Sequence, residues 1–278
     1  MRQGALALIG VAALVMACTP SGAQSESGAS SEDASARPMP TSGGAARTVQ
    51  AELLVEQLEN GQNKAIADYH ETVRRCQAAG WQVKPLTEDQ VSRLGTRRIE
   101  LAVDADHRLV RGTRWDWKVP PDQLEALCLF EFVEEVREDY ADRKIIGYTG
   151  DEDSPQWHEE PADPGDLDLA IDEVDFSSEE AIGWRRETDS QVSGQHCTWW
   201  RGPADQRVCM WTQGLALGFS PAPSGFCMTE SADAMLAALP LQQEPVKGSG
   251  CRITTQRIQT AGALSPASFQ IKTRGGIR

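Results

Sequence analysis

Two hydrophobic periods divide this chain. Between Leu54 and Cys76 the apolar positions Leu54, Leu58, Ile66, Tyr69, Val73 and Cys76 recur at spacings of three, four or near multiples. That period gathers them on one helical face. Gly61 divides the run in two, and Gly80 is placed to end the second helix in a left-handed cap. Thr87 with Gln90 has the form of a capping box, opening a short helix that ends near Gly95. The pattern predicts a helical section over residues 47–96.

The period then falls to two. Ile99, Leu101 and Val103 alternate with Arg98, Glu100 and Ala102. After the polar turn Asp104–His107, the residues Thr113, Trp115, Trp117 and Val119 alternate with Arg114, Asp116 and Lys118. Two alternating runs about a polar turn predict a β-hairpin with one buried face. Pro120-Pro121-Asp122 breaks it and opens one helical turn. Cys128–Val136 is apolar enough for a more central strand, with Lys144–Thr149 as a neighbour. Leu167, Leu169 and Ile171 alternate with Asp166, Asp168 and Ala170, a strand pattern inside an acidic stretch.

A second hairpin is expected from Gln195–Trp200 and Arg207–Thr212, which flank Gly202-Pro203-Ala204-Asp205. A turn centred at Pro203 sets Cys197 opposite Cys209, the first disulfide to expect. Ser231 reads as the N-cap of a short helix carrying Met235, Leu236 and Leu239, which Pro240 and Pro245 end. Cys251–Ile258 is a last strand, Gly262–Phe269 a turn with a closing aromatic, and Lys272–Arg278 a basic, frayed tail. The fold class is α+β: a curved antiparallel sheet over residues 97–272, with an acidic insert at 150–183 and a helical N-terminal section.

The beginning of the chain changes the compartment. An apolar stretch from Gly4 to Met16 follows Met1-Arg2-Gln3. It is shorter than the ~20 residues of a membrane span and has the shape of a secretory signal. Leu14-Val15-Met16-Ala17-Cys18 resembles the lipobox of bacterial lipoproteins. The resemblance implies that residues 1–17 are removed and that Cys18 carries lipid as the mature N-terminus. Attachment through more than one acyl chain is stable. Thr19, where an Asp would favour the inner membrane, implies the outer membrane by the same resemblance. Residues 19–46 are Ser, Gly, Ala and Pro with few charges and no core-forming pattern, so they are expected to be a disordered tether. A flexible tether of that length reaches roughly 30 Å.

The formal charge of −14 argues against nucleic acid and against direct binding to anionic headgroups. Between Ile145 and Trp184 there are thirteen carboxylates and no Lys or Arg. Such a block is a solvated acidic segment by default. Asp163, Asp166 and Asp168 are weak candidates for a divalent cation, without the Gly and Glu positions of an EF-hand loop. Beside Cys18 stand Cys76, Cys128, Cys197, Cys209, Cys227 and Cys251, an even set that allows up to three disulfides in an oxidising compartment. No Cys-x-x-Cys is present, which argues against a thioredoxin-like or zinc role.

Chemistry is sparse. His70, His107, His158 and His196 fall on a helix, a turn, the acidic segment and a position before Cys197. No nucleophile elbow, HExxH, phosphate loop or dinucleotide-binding glycine pattern occurs, so an enzyme is not expected and no cofactor is implied. Trp115, Trp117, Trp199, Trp200 and Trp211 lie on the hairpins. Neighbouring strand residues point to opposite faces, so one of Trp199 and Trp200 must leave the core or lie under another element. An exposed member would mark a binding surface.

Gly194-x-x-Cys197-x-x-Trp200, Val208-Cys209-x-Trp211, Gly214-Leu-Ala-Leu-Gly218 and the closing Ser265-Pro266-Ala-Ser268-Phe269 are similar to the C-terminal half of periplasmic half-barrel domains of the lipoprotein-carrier (LolA/LolB-like) group. The resemblance spans about residues 184–270 and extends at most to 95–272. It implies a half-barrel sheet around a helix, able to hold an acyl chain or another apolar ligand. The extra cysteines, the acidic insert and the helical section depart from that group. The expected function is a non-catalytic envelope lipoprotein acting as a tethered protein-interaction or assembly module. The alternatives are an apolar-ligand or lipid-binding half-barrel, and an envelope enzyme.

Overall fold

The computed structural model describes residues 48–120, 127–150, 156–162, 183–202, 205–211, 239–260 and 262–273. All of them belong to one compact unit, Gly44–Arg278. They are mostly antiparallel sheet with two helices. The strands are β1 (Val49–Glu59), β2 (Gln62–Asn63), β3 (Gln82–Lys84), β4 (Thr96–Val103), β5 (His107–Lys118), β6 (Leu127–Leu129), β7 (Glu131–Asp142), β8 (Ile145–Thr149), β9 (Trp157–Pro161), β10 (Arg185–Val192), β11 (Gln195–Arg201), β12 (Arg207–Trp211), β13 (Pro240–Glu244) and β14 (Gly250–Gln259). The helices are α1 (Lys64–Ala78) and α2 (Glu88–Arg93), with a 3-10 turn at Pro266–Phe269.

Eleven strands form one open, curved sheet in the order β10-β11-β12-β13-β14-β1-β4-β5-β7-β8-β9, with β2 pairing β1 at the side. Every pairing within it is antiparallel. A separate small sheet joins β3 and β6 in parallel.

The first half of the expected helical section is corrected. Residues 49–59 are the strand β1, inserted between β14 and β4. Val49, Ala51, Leu53 and Val55 alternate with Gln50, Glu52 and Leu54, and the first set is buried. The period of two over these four residues outweighs the helical spacing of Leu54 and Leu58, because a strand there completes the sheet on both sides. The second half is helical. Asn63 caps α1 by accepting from Ile66 N at 3.2 Å. Gly80 ends it at φ +73°, and Trp81 N donates to Cys76 O in the six-to-one bond of that cap. Thr87 and Gln90 complete the capping box of α2.

The Ile99–Val103 and Thr113–Trp117 runs form the hairpin β4–β5, as their alternation predicts. Val119 lies beyond it and is exposed. The Cys128–Val136 run divides: β6 peels away to β3, and the remainder begins β7, an inner strand between β5 and β8. Part of the acidic stretch is also strand. Trp157–Pro161 forms the sheet edge β9 against β8. Trp157 lies across Gly147 so closely that a Cβ there would come within 2.0 Å of its ring, which leaves glycine as the only fit.

The main core joins Val49, Leu53, Ile99, Leu101, Val110, Trp199, Trp211, Leu241 and Ile253 with their neighbours. On β5 the odd positions face the other way, and two bodies are laid on them. Trp117 packs in the cluster of α1 and α2 with Tyr69, Leu94, Phe130 and Phe132. Leu109 packs with Ala102, Tyr140, Leu264, Phe269 and Ile271, under the C-terminal strap of residues 262–273.

Expectations that fall outside the described residues are the lipobox and Cys18, the tether, the turn opened at Pro121-Asp122, the Leu167–Ile171 strand, Asp163, Asp166 and Asp168, the Gly214–Gly218 glycines, the Ser231 helix and Cys227.

Candidate binding surfaces

The strap is held from below by one carboxylate. Glu138 on β7 is opposite Arg111 on β5, and its side chain is fully buried. Its Oε1 accepts from Arg111 Nε at 2.6 Å. Its Oε2 accepts from Lys272 N, Thr273 N and Thr273 Oγ1, each at 2.8 Å. Arg111 Nη2 also donates to Gln270 O at 2.5 Å. A buried charge is tolerated where it is paired and its lone pairs are filled, and that is the arrangement here. At the other end of the strap, Thr48 Oγ1 donates to Gly262 O at 2.5 Å. The frayed tail expected from Lys272 onward is therefore corrected at its start. Thr273 is buried and belongs to the anchor.

Between the strap and the sheet lies a cavity of about 260 Å³, lined by Gln50, Glu52, Glu100, Arg111 and Arg257 from the strands and by Ser265 and Ser268 from the strap. A second, more apolar hollow of about 410 Å³ opens between the helices, lined by Tyr69, Val73, Pro85, Leu86 and Val91, with His70 and Glu88 at its margin. Tyr69 shapes it. Its ring meets Phe130 and Trp117 edge-on at centroid distances of 5.1 and 5.8 Å, and its Oη accepts from Leu86 N at 2.8 Å. The large exposed hydrophobics among the described residues are Trp81 (46%), Val119 (45%) and Tyr148 (44%).

The tryptophans singled out as a binding surface do not form one. Trp115, Trp199, Trp200 and Trp211 are buried, and Trp117 is half-buried against α1. Of the two outcomes that the Trp199–Trp200 alternation allows, the covered one is found, since the β11–β12 hairpin is buried on both faces. Thr198, Val208 and Met210 are buried as well as Cys197, Cys209 and Trp211. The Arg207 guanidinium lies 4.7 Å from the centre of the Trp199 ring. Trp115 Nε1 donates to Glu134 Oε2 at 2.7 Å. The exposed Trp81 gave no sequence signal, since it stands in the short passage between α1 and β3.

Between described residues two disulfides are formed, Cys76–Cys128 and Cys197–Cys209. Cys251 is disulfide-bonded as well. The hairpin register differs by one step from the expected one. Arg201 pairs with Arg207, so Cys197 opposes Trp211 and Cys209 opposes Trp199. The bridge crosses the hairpin diagonally, with the Cα atoms 5.4 Å apart.

The histidines are engaged in local contacts. His107 Nδ1 is 3.0 Å from Asp104 Oδ1, and its ring is 5.0 Å from that of Phe269. His158 stacks on Tyr148 at 5.3 Å. His196 Nε2 is 3.2 Å from the Gln191 amide, and its neighbour Cys197 is locked in a disulfide. A sulfur held in that way has no thiolate with which to attack. Among the described residues no group of three or more His, Cys, Asp or Glu is placed to hold a metal ion. No described helix is long and apolar enough to cross a membrane. No family model and no curated protein matches this chain.

Proposed function

We propose that this is a non-catalytic lipoprotein of the bacterial envelope, lipid-anchored through Cys18 and facing the periplasm from the outer membrane. It acts as a tethered protein-interaction module. The observation that carries the reading is where apolar surface remains open. The broad apolar face of β1, β4 and β14 is buried in the main core, while the hollow between α1 and α2 stays accessible. A shallow apolar depression with a polar margin suits an anchoring side chain of a partner protein. The disulfides fit an oxidising compartment. The tether expected at residues 19–46 would let the module search roughly 30 Å around its anchor.

A photo-crosslinking residue placed at His70 or Trp81 in the native host tests this. The expected result is one discrete adduct from both positions and none from a control at Arg257 on the strand face. The adduct should weaken at high salt if the acidic surface assists docking. Equal labelling at all three positions, or none at His70 and Trp81, would reject the module. Palmitate labelling tests the anchor separately, and a Cys18→Ser chain should lose the label.

The open, curved, antiparallel sheet supports a second reading, a half-barrel that takes an acyl chain or another apolar ligand. Since the main-core side chains are buried, uptake would require the sheet to part from whatever covers it. Native mass spectrometry of the delipidated protein should show added lipid mass if this holds, and bare protein if it does not.

A further inference from the structure

A row of five charged residues runs across the face beneath the strap. Arg257 on β14 pairs with Glu52 on β1, Glu52 with Glu100 on β4, Glu100 with Arg111 on β5, and Arg111 with Glu138 on β7. Arg111 and Glu138 satisfy one another, as described above. Glu52 and Glu100 do not. They are like charges set directly opposite on neighbouring strands, an arrangement that destabilises a sheet. The cations around them stand off. Arg257 Nη2 is 4.0 Å from Glu52 Oε2, and Glu100 Oε2 is 3.7 Å from Arg111 Nη1 and 4.0 Å from Arg98 Nε. These distances exceed hydrogen-bond range. Glu100 Oε2 is nonetheless buried and accepts no hydrogen bond from the described residues, and Arg98 Nε, 4.0 Å from it, is likewise buried and donates none. A buried acceptor left in that state costs free energy unless a donor reaches it.

The 260 Å³ cavity lies over this pair, with the strap hydroxyls of Ser265 and Ser268 on its other side and Ala102 and Leu109 as its apolar patch. We propose that it binds a small zwitterion, with the ammonium group between Glu52 and Glu100 and the carboxylate on Arg257. A cation between the two carboxylates relieves their repulsion and supplies the missing donor. A divalent metal suits the place less well than an ammonium, because it sets two positive charges instead of one among Arg98, Arg111 and Arg257 and brings no carboxylate for Arg257. The strap makes the site conditional: with Ser265–Ser268 lifted, the same charges face open water, where they hold a ligand weakly. This site is independent of any protein partner at the helices.

Titration calorimetry of the mature lipoprotein in detergent micelles tests the proposal. The probes are L-alanyl-L-alanine, its N-acetyl derivative and its C-terminal amide. The dipeptide should bind with one-to-one saturation. N-acetylation should weaken binding about tenfold or more, as loss of a charged hydrogen bond implies. Glu100→Gln should do the same without lowering the melting temperature. Arg257→Gln should weaken the dipeptide while leaving its amide unchanged. The proposal is overturned if no saturable heat appears with the wild-type chain, if the acetylated probe binds as well as the free one, or if calcium or glucose saturates the site in its place. Should Glu100→Gln fail to fold, the three probes on the wild-type chain still decide.

Discussion

The same face of β5 carries two bodies that are fixed to it in opposite ways. At the Trp117 end lies the helical flank, α1 and α2 with β3 and β6, and its fixing is covalent. Cys76 on α1 is bonded to Cys128 on β6, immediately before β7 enters the sheet. At the Leu109 end lies the strap, and its fixing is noncovalent: three hydrogen bonds from Lys272 and Thr273 to the buried Glu138 carboxylate, with Arg111 to Gln270 O and Thr48 to Gly262 O beside them. The flank has an apolar cluster of five buried side chains, Tyr69, Cys76, Leu94, Cys128 and Phe130, two of which are the disulfide itself. So small a cluster buries little area on its own account, and a crosslink that limits the unfolded chain is how small bodies are usually held. The strap is extended apart from its 3-10 turn and only partly buries Leu264, Phe269 and Ile271, so its C-terminal end relies on backbone donors meeting a charge. One attachment should answer to reduction, and the other to the loss of one carboxylate.

The largest effect expected is on the strap. Glu138→Ala would leave the buried Arg111 guanidinium without its carboxylate, a change of about 3–5 kcal/mol where a buried pair is broken. Urea unfolding should show a loss of that size, and proteolysis should cut first in the strap. Glu138→Gln keeps the shape and should cost less. A loss below about 0.5 kcal/mol for the alanine variant, the level of an ordinary surface change, would mean that the strap is held by its apolar residues alone.

Next comes the flank. The Cys76→Ala/Cys128→Ala chain removes a bridge with a sequence separation of 52, worth about 4 kcal/mol by loop entropy. Hydrogen exchange should quicken in α1 and α2 while the Lys272 and Thr273 amides stay protected. If both bodies open together in either variant, they form one cooperative unit and the contrast between them fails.

What the sequence revealed and what it hid follow the reach of each contact. The β4–β5 hairpin, the Gly80 cap of α1, the Thr87–Gln90 capping box of α2, the strand β14 and the Cys197–Cys209 bridge are local patterns, and each was legible, whereas the Asn63 cap of α1 was not. β1 was misread because Val49–Glu59 fits two periods at once: Leu54 and Leu58 match a helix, and Val49, Ala51, Leu53 and Val55 match a strand. Only its neighbours, β14 and β4, decide between them. The strap anchor was invisible, because Glu138 and Thr273 are 135 positions apart and neither stands in a recognisable motif. The opposition of Glu52 and Glu100 was hidden for the same reason, since it is a property of register. The tryptophans misled because burial on both faces of a hairpin depends on what lies over it.

The hairpin bridge serves as the control between the two modes. Cys197–Cys209 has a sequence separation of 12, so its removal as Cys197→Ala/Cys209→Ala should cost about 3 kcal/mol. Unlike the flank, the hairpin keeps Trp199, Trp200, Val208, Met210 and Trp211 buried without it. The loss should therefore appear in global unfolding, with no selective opening of β11 and β12 in hydrogen exchange. Selective opening there would show that the bridge, and not the packing, holds the hairpin.

The smallest effect concerns acid, and it separates the strap end from the flank. Asp142 closes the β7–β8 turn. Partial burial raises its carboxyl, but the backbone amides of Lys144 and Ile145 and the Tyr140 hydroxyl outweigh that, and the group is held below its ordinary value. A carboxyl depressed in the folded state contributes stability that is complete above its unfolded value near ~3.9 and fades as pH falls through the folded one. Tyr140 belongs to the cluster under the strap, so this loss should loosen the strap end and leave the disulfide-held flank in place. Urea midpoints taken from about pH 6 down to about pH 3 should fall more gently for Asp142→Asn than for the wild type, because the variant has no proton to take up at this turn. An identical acid limb in the two chains would remove Asp142 as the source, and equal loosening of α1 would remove the distinction between the two attachments.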